Sequence, residues 1–205
     1  MVIAIDGTSG SGKSTIAKIL ADKLGFNLLN TGILYRKITK LCLDRRIPAS
    51  DEEEIIKQIS LVSVDSIDPS NLHTEEISRN VPHYAKIESV RNYVRSIQRK
   101  SAIGKNIIVE GRDIGSRVFP DAEVKLFIDA DIKIRTERRL LQLELDYKDN
   151  YYKVLENIKN RDSHDENRTN SPLIKSDDAL YVDTGNKSIT QVIDEILESI
   201  KSKFA

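Results

Sequence analysis

The sequence predicts an α/β domain built on a central parallel sheet, and three observations carry that expectation. Residues 7–14 read Gly7-Thr8-Ser9-Gly10-Ser11-Gly12-Lys13-Ser14, a G-x-x-x-x-G-K-[ST] phosphate loop between an apolar run and an amphipathic helix. Apolar runs recur along the chain, each followed by helical periodicity, the alternation that puts helices against a parallel sheet. At 205 residues the chain is long enough to bury one substantial core without covalent staples.

The first strand is Val2–Ile5, and the helix leaving the loop turns Ile16, Ala17, Ile19, Leu20 and Leu24 to one side. Further strands are expected at Phe26–Leu29, Asn106–Val109, Val124–Ile128 and Ala179–Val182. Ser188-Ile189-Thr190-Gln191 is a capping box opening a last helix, whose stripe is Ile189, Val192, Ile193, Ile196, Leu197 and Ile200. Two stretches break the rhythm. Roughly Lys37 to Glu88 is mostly helical: Pro48 stops one helix, Ser50-Asp51-Glu52-Glu53 is a capping box for the next, and Val62–Pro69 is a short irregular piece. The second, about Leu141 to Ser163, is charged and carries Tyr147, Tyr151 and Tyr152, the composition of a solvated face or a moving lid.

Lysine plus arginine and aspartate plus glutamate each number 32, so no global field favours nucleic acid or a membrane surface. No apolar stretch approaches the length of about 20 residues that spans a bilayer. The first strand begins at once, leaving no room for a signal peptide, and a cytoplasmic location is expected. A single cysteine, Cys42 among Ile38, Leu41 and Leu43, reads as a packed core thiol. His73, His83 and His164 lack metal-ligand spacing and read as ordinary surface or packing residues. With no apolar stripe left over, a monomer is expected.

The loop itself predicts binding of a nucleoside triphosphate. Its glycines admit phosphate oxygens close to the backbone, Lys13 is placed for the β- and γ-phosphates, and the Ser14 hydroxyl for Mg²⁺. A set of arginines narrows the trade. Arg36 follows the second strand, Arg91 lies on a helix with Val90, Tyr93, Val94 and Ile97 inward, and Arg112 with Asp113 follows the third strand. Arg135, Arg138 and Arg139 share a helix face with Gln142, and Arg161, Asp165 and Arg168 would share another if that helix continues. Singly, each arginine is an ordinary surface residue. Together they suit a bidentate grip on a second anionic partner, as phosphoryl transfer requires.

At this point the residues match a family. The chain resembles the bacterial cytidylate kinases, a branch of the nucleoside monophosphate kinases, nearly end to end. The resemblance runs from Ile5-Asp6-Gly7 to Ser14-Thr15, then Thr31-Gly32, Tyr35-Arg36, Val90-Arg91 and Glu110-Gly111-Arg112-Asp113-Ile114-Gly115. It continues through Val118-Phe119-Pro120-Asp121-Ala122, Arg138-Arg139, Gln142-Leu143, Arg161-Asp162, Asp165, Asn167-Arg168 and Ala179-Leu180.

The resemblance implies a three-layer P-loop fold with a five-stranded parallel sheet, a core of about 1–36, 89–140 and 164–205, a monophosphate-binding insert of about 37–88 and a lid of about 141–163. It implies transfer of the ATP γ-phosphoryl group to CMP or dCMP with Mg²⁺. Gly7, Thr8, Ser9, Gly10, Ser11, Gly12, Lys13, Ser14 and Thr15 look like the ATP contacts. Thr31, Arg36, Arg91, Arg112, Asp113, Arg161, Asp165 and Arg168 look like CMP contacts. Within that set Arg91 and Asp113 look like readers of cytosine, and Asp165 like a sugar-hydroxyl contact. Lys13, Arg135, Arg138, Arg139 and Arg161 look like the catalytic cations, and Glu110 like a carboxylate holding a Mg²⁺-bound water beside Ser14. A carboxylate at Asp113 accepts from the exocyclic amine of cytosine and disfavours the carbonyl of uracil. No general base is required, because the acceptor phosphate oxygen is already anionic.

Three departures stand out. The insert is short and leaves little of a small sheet, Pro82 stands where many members have a base-contacting serine, and Asn30 stands where an aspartate is common. The competing readings are a kinase of UMP, AMP or shikimate, and a nucleotide-dependent switch whose output is a partner interaction.

Overall fold

The five apolar runs become five parallel strands, each extending one or two residues past its last apolar side chain. They are β1 (Val2–Gly7), β2 (Asn27–Asn30), β3 (Ile107–Glu110), β4 (Val124–Asp129) and β5 (Leu180–Asp183). The ladder of backbone hydrogen bonds does not stop where hydrophobicity does, so Glu110, Asp129 and Asp183 sit at strand carboxyl ends. The computed structural model describes residues 1–61 and 70–204, so the irregular piece expected at Val62–Pro69 lies outside the described residues. Two compact units emerge, Met1–Leu29 with Gly104–Ala205, and Asn30–Ile103.

In the first unit the sheet order is β2-β3-β1-β4-β5. Strand β1 is central, pairing Ile3 with Ile108 on one side and with Val124 on the other. Its loop therefore leaves the sheet between the carboxyl ends of β3 and β4, where open α/β sheets bind ligands. Helices α1 (Lys13–Leu24) and α8 (Ile189–Phe204) close a core of Ile3, Ile5, Ile16, Leu20, Leu126, Ile128, Val192 and Ile196. The predicted capping box at α8 forms both ways: Ser188 N donates to Gln191 Oε1 at 2.9 Å, and Gln191 N to Ser188 Oγ at 3.3 Å. One stripe member is corrected: Ile189, in the first turn beside the cap, is 44 % exposed. Helices α6 (Ile132–Gln142) and α7 (Tyr147–Glu166) pack on Leu140, Val154 and Ile158. Asp146 caps α7, accepting from Lys148 N at 2.8 Å and Asp149 N at 3.3 Å. Among the described residues no helix is long and apolar enough to cross a membrane.

Among the described residues of the second unit, 30–61 and 70–103, the chain after β2 forms helices and short turns: α2 (Thr31–Asp44), α3 (Glu52–Leu61), α4 (Glu75–Ala85) and α5 (Glu88–Ala102). Its buried residues include Leu34, Ile38, Cys42, Ile55, Ile59, Val90 and Val94. The predicted capping box at α3 shifts by one residue. Asp51, not Ser50, caps it, with Glu54 N donating to Asp51 Oδ1 at 3.1 Å, because the turn after Pro48 places the aspartate at the first free amides. Pro82 lies inside α4, and the three histidines are exposed, as expected.

Candidate active site

The phosphate loop takes its shape from positions only glycine fills. Gly7 has φ of 145°, and a Cβ there would lie 1.9 Å from the Ile128 carbonyl oxygen. Gly12 caps α1 in the left-handed region, with φ of 91°. The first turn of α1 carries no acidic residue, so its free amides and dipole face an incoming anion without competition.

The loop is held from outside by residues brought from distant parts of the chain. Thr8 Oγ1 donates to Asp129 Oδ1 at 2.5 Å, and Ser9 N to Asp162 Oδ1 at 2.8 Å. Arg135 donates to the Ser9 carbonyl at 2.9 Å and the Ala130 carbonyl at 2.8 Å, and it forms a buried ion pair with Asp162. Thr184 Oγ1 donates to the Ser11 carbonyl at 2.9 Å, and Arg138 grips Thr184 in turn, through Oγ1 at 2.9 Å and the carbonyl at 2.6 Å. The arginines expected on one face therefore have different partners. Arg135 and Arg138 brace the loop, and Arg139 donates to Gln142 Oε1 at 2.8 Å. None of Asp129, Asp162 and Thr184 was marked by a sequence signal beyond its place in a motif or at a strand end.

Lys13 is buried, its ammonium donating to the Thr8 carbonyl and, at 3.3 Å, to Ser11 Oγ. Burial lowers its pKa well below the usual lysine value, and the Arg112 and Arg161 cations lower it further, against Glu110 and Asp162. A cation so placed is short of negative charge, which a polyphosphate supplies. Ser14 Oγ donates to Glu110 Oε1 at 2.8 Å. The Glu110 carboxyl is raised by burial, which outweighs the Ser14 hydrogen bond and the Lys13 and Arg112 charges. A hydroxyl and a carboxylate oxygen in contact at the loop exit are hard donors that fit Mg²⁺.

Arg112 and Asp165 form a close ion pair at 2.8 Å, and Arg168 lies 3.5 Å from the same carboxylate. Burial pushes the Asp165 carboxyl up, but Arg112, Arg168 and Arg161 together hold it below the ordinary value. Helix α7 continues through Arg161 and Asp165 but ends at Glu166. Arg168 thus meets Asp165 from beyond the helix end and not from a shared face. Asp113 is buried and immediately precedes a π-type turn over Ile114–Val118, its carbonyl accepting from Arg117 N at 2.9 Å and Val118 N at 3.1 Å.

The second unit holds Thr31, Arg36 and Arg91. Thr31 is buried at the start of α2. Arg36 donates to the Leu72 carbonyl at 2.8 Å and Ser78 Oγ at 3.0 Å. Arg91 is 3 % exposed, donates to the Ala85 carbonyl at 3.1 Å and lies 5.6 Å from the Tyr35 ring centroid.

Comparisons with known proteins agree with this architecture. The family model for cytidylate kinase matches residues 3–202. A cytidylate kinase of Clostridioides difficile (strain 630) is 40 % identical over 211 residues, covering 98 % of each chain. One of Thermosipho melanesiensis is 43 % identical, over 98 % of this chain and 97 % of that one. Among solved structures, an uncharacterized protein from Eubacterium ventriosum has a TM-score of 0.57 at 17 % identity, covering 98 % of this chain and 99 % of that one, and so shares the fold. The match spans the sheet, the loop and both helical segments alike, and this chain belongs to the cytidylate kinase family.

Proposed function

We propose that this chain transfers the γ-phosphoryl group of ATP to CMP or dCMP, giving ADP and CDP or dCDP. The observation that carries the reading is family membership across residues 3–202, around a phosphate loop whose buried Lys13 is hemmed in by further cations. Gly7 to Thr15 hold the ATP phosphates, with Lys13 on the transferring group. Mg²⁺, when bound at Ser14 and through water at Glu110, neutralises phosphate charge. Thr31, Arg36, Arg112, Arg161 and Arg168 hold the acceptor phosphate or steady the transferring one. Arg91 and Asp113 read cytosine, and Asp165 takes a sugar hydroxyl.

The attacking oxygen is anionic already, so positioning and charge neutralisation supply the catalysis. Arg135, Arg138 and Arg139 add positive charge from α6, and the contacts of Arg135 with Ser9 and of Arg138 with the loop-bound Thr184 support a second duty in holding the glycine loop to shape. The segment 141–163 acts as a lid that excludes water, 37–88 as the monophosphate-binding insert, and the remainder as the core. The enzyme works as a cytoplasmic monomer on these small nucleotides.

A coupled ADP-release assay against CMP, dCMP, UMP, AMP, GMP and shikimate tests the reading. CMP or dCMP is expected to give the highest kcat/KM. Activity with UMP equal to or above that with CMP would overturn the cytosine assignment.

A further inference from the structure

Strand β1 delivers the chain into the phosphate loop through a carboxylate that the reaction as described leaves unused. Asp6 is 5 % exposed. Its Oδ1 accepts from Ile114 N at 2.8 Å and its Oδ2 from Gly115 N at 2.7 Å, both buried bonds spanning more than a hundred residues of sequence. These two amides open the turn that follows Asp113, so Asp6 grips the backbone next to Arg112 and Asp113.

The chemistry of the grip is specific. An ionised carboxylate accepts from both amides, whereas an asparagine accepts from one and turns its own N–H₂ toward the other. Space is specific too. A Cβ on Gly115 would crowd Lys125 Cδ at 3.2 Å and stand in ordinary contact with Asp6 Oδ2 at 3.4 Å, so the turn lies packed close against the carboxylate. An acid here is costly: burial pushes its carboxyl up to about 6, and the Asp113 charge adds to the rise against the two backbone bonds.

We propose that Asp6 is a positioning residue for the acceptor base: by clamping the Ile114 and Gly115 amides it fixes the backbone from which Asp113 reaches cytosine, and so sets the preference for cytosine over uracil. The proposal rests on the reading of CMP as acceptor and Asp113 as base reader.

The test compares Asp6→Asn, Gly115→Ala and, as the reference for lost base reading, Asp113→Ala. Initial rates are measured with CMP and UMP at saturating ATP, and with ATP at saturating CMP. For Asp6→Asn and Gly115→Ala we expect KM for CMP to rise about tenfold and the CMP-to-UMP ratio of kcat/KM to fall about tenfold. KM for ATP is expected to stay within about threefold, although Asp6 adjoins the phosphate loop. A rise in KM for ATP matching that for CMP would instead make Asp6 a support of the phosphate loop and overturn the proposal. An unchanged CMP-to-UMP ratio in folded protein would overturn it as well. Asp6→Asn removes one of the two bonds directly and Gly115→Ala crowds the turn from the Lys125 side, so if one fails to fold the other decides. Should the wild-type enzyme prefer another acceptor, the proposed function falls. The KM split between that acceptor and ATP then decides the positioning role separately.

Discussion

Lys13 concentrates the chemistry of the donor loop into one side chain. It is buried, bonded to its own loop and disfavoured in its charged form first by burial and then by Arg112 and Arg161, against Glu110 and Asp162, an arrangement a triphosphate relieves. Removing its ammonium takes away charge neutralisation that matters most as the phosphoryl group moves. Lys13→Ala is expected to lower kcat roughly a thousandfold while leaving the fold intact, measured by ADP release and circular dichroism. Near-normal turnover would remove the phosphate loop from the mechanism. Cys42 shows the other kind of buried group. Burial pushes its thiol up to about 11, so it stays protonated, and it is the packed core residue the sequence suggested.

Among elements, α7 ties the donor loop to the segment that follows β3. One turn apart on it, Asp162 bonds the donor loop through Ser9 N, and Asp165 pairs with Arg112 after β3. Asp162 also pairs with Arg135, and both side chains are nearly buried, at 10 % and 8 % exposed. Breaking such a pair leaves the guanidinium with only the more distant Asp129, at 3.9 Å, and a free Ser9 amide inside the protein. Asp162→Ala is expected to cost about 3–5 kcal/mol, read as a shift in the urea midpoint, and to raise KM for ATP more than KM for CMP. A loss below about 1 kcal/mol would show that the loop holds its shape without α7.

For the whole molecule, a buried carboxylate and a partly buried one set opposite pH trends. Asp6 has its pKa raised from 3.8 to about 6, so the folded state binds this proton more tightly than the unfolded chain. Its ionisation therefore costs stability as pH rises from about 4 to about 6, on the order of 3 kcal/mol across that window. Asp165 is depressed, so its contribution is present above the ordinary value of 3.8 and is lost as pH falls below it. Urea midpoints between pH 3 and pH 8 check both signs: Asp6→Asn should flatten the slope between about 4 and 6, and Asp165→Asn the loss on the acid side. An unchanged slope in Asp6→Asn would place its folded pKa near 3.8 instead.

The amino-acid sequence by itself determined the strands, the loop and the family. Each is written locally: apolar runs of strand length, glycines at fixed spacing, and the contiguous Glu110-Gly111-Arg112-Asp113-Ile114-Gly115 segment. The resemblance names Ser14 and Glu110 together for Mg²⁺, and only the folded chain shows them in contact, at 2.8 Å from 96 residues apart. Only the tertiary structure decided what holds the loop in place. Asp6, Asp129, Asp162 and Thr184 are ordinary polar residues in sequence, and their worth lies in amides and hydroxyls met after the chain closes. The capping of α3 by Asp51 and the separate duties of Arg135, Arg138 and Arg139 follow the same logic. Periodicity fixes which face of a helix a side chain leaves from, but the unsatisfied group it meets belongs to another element.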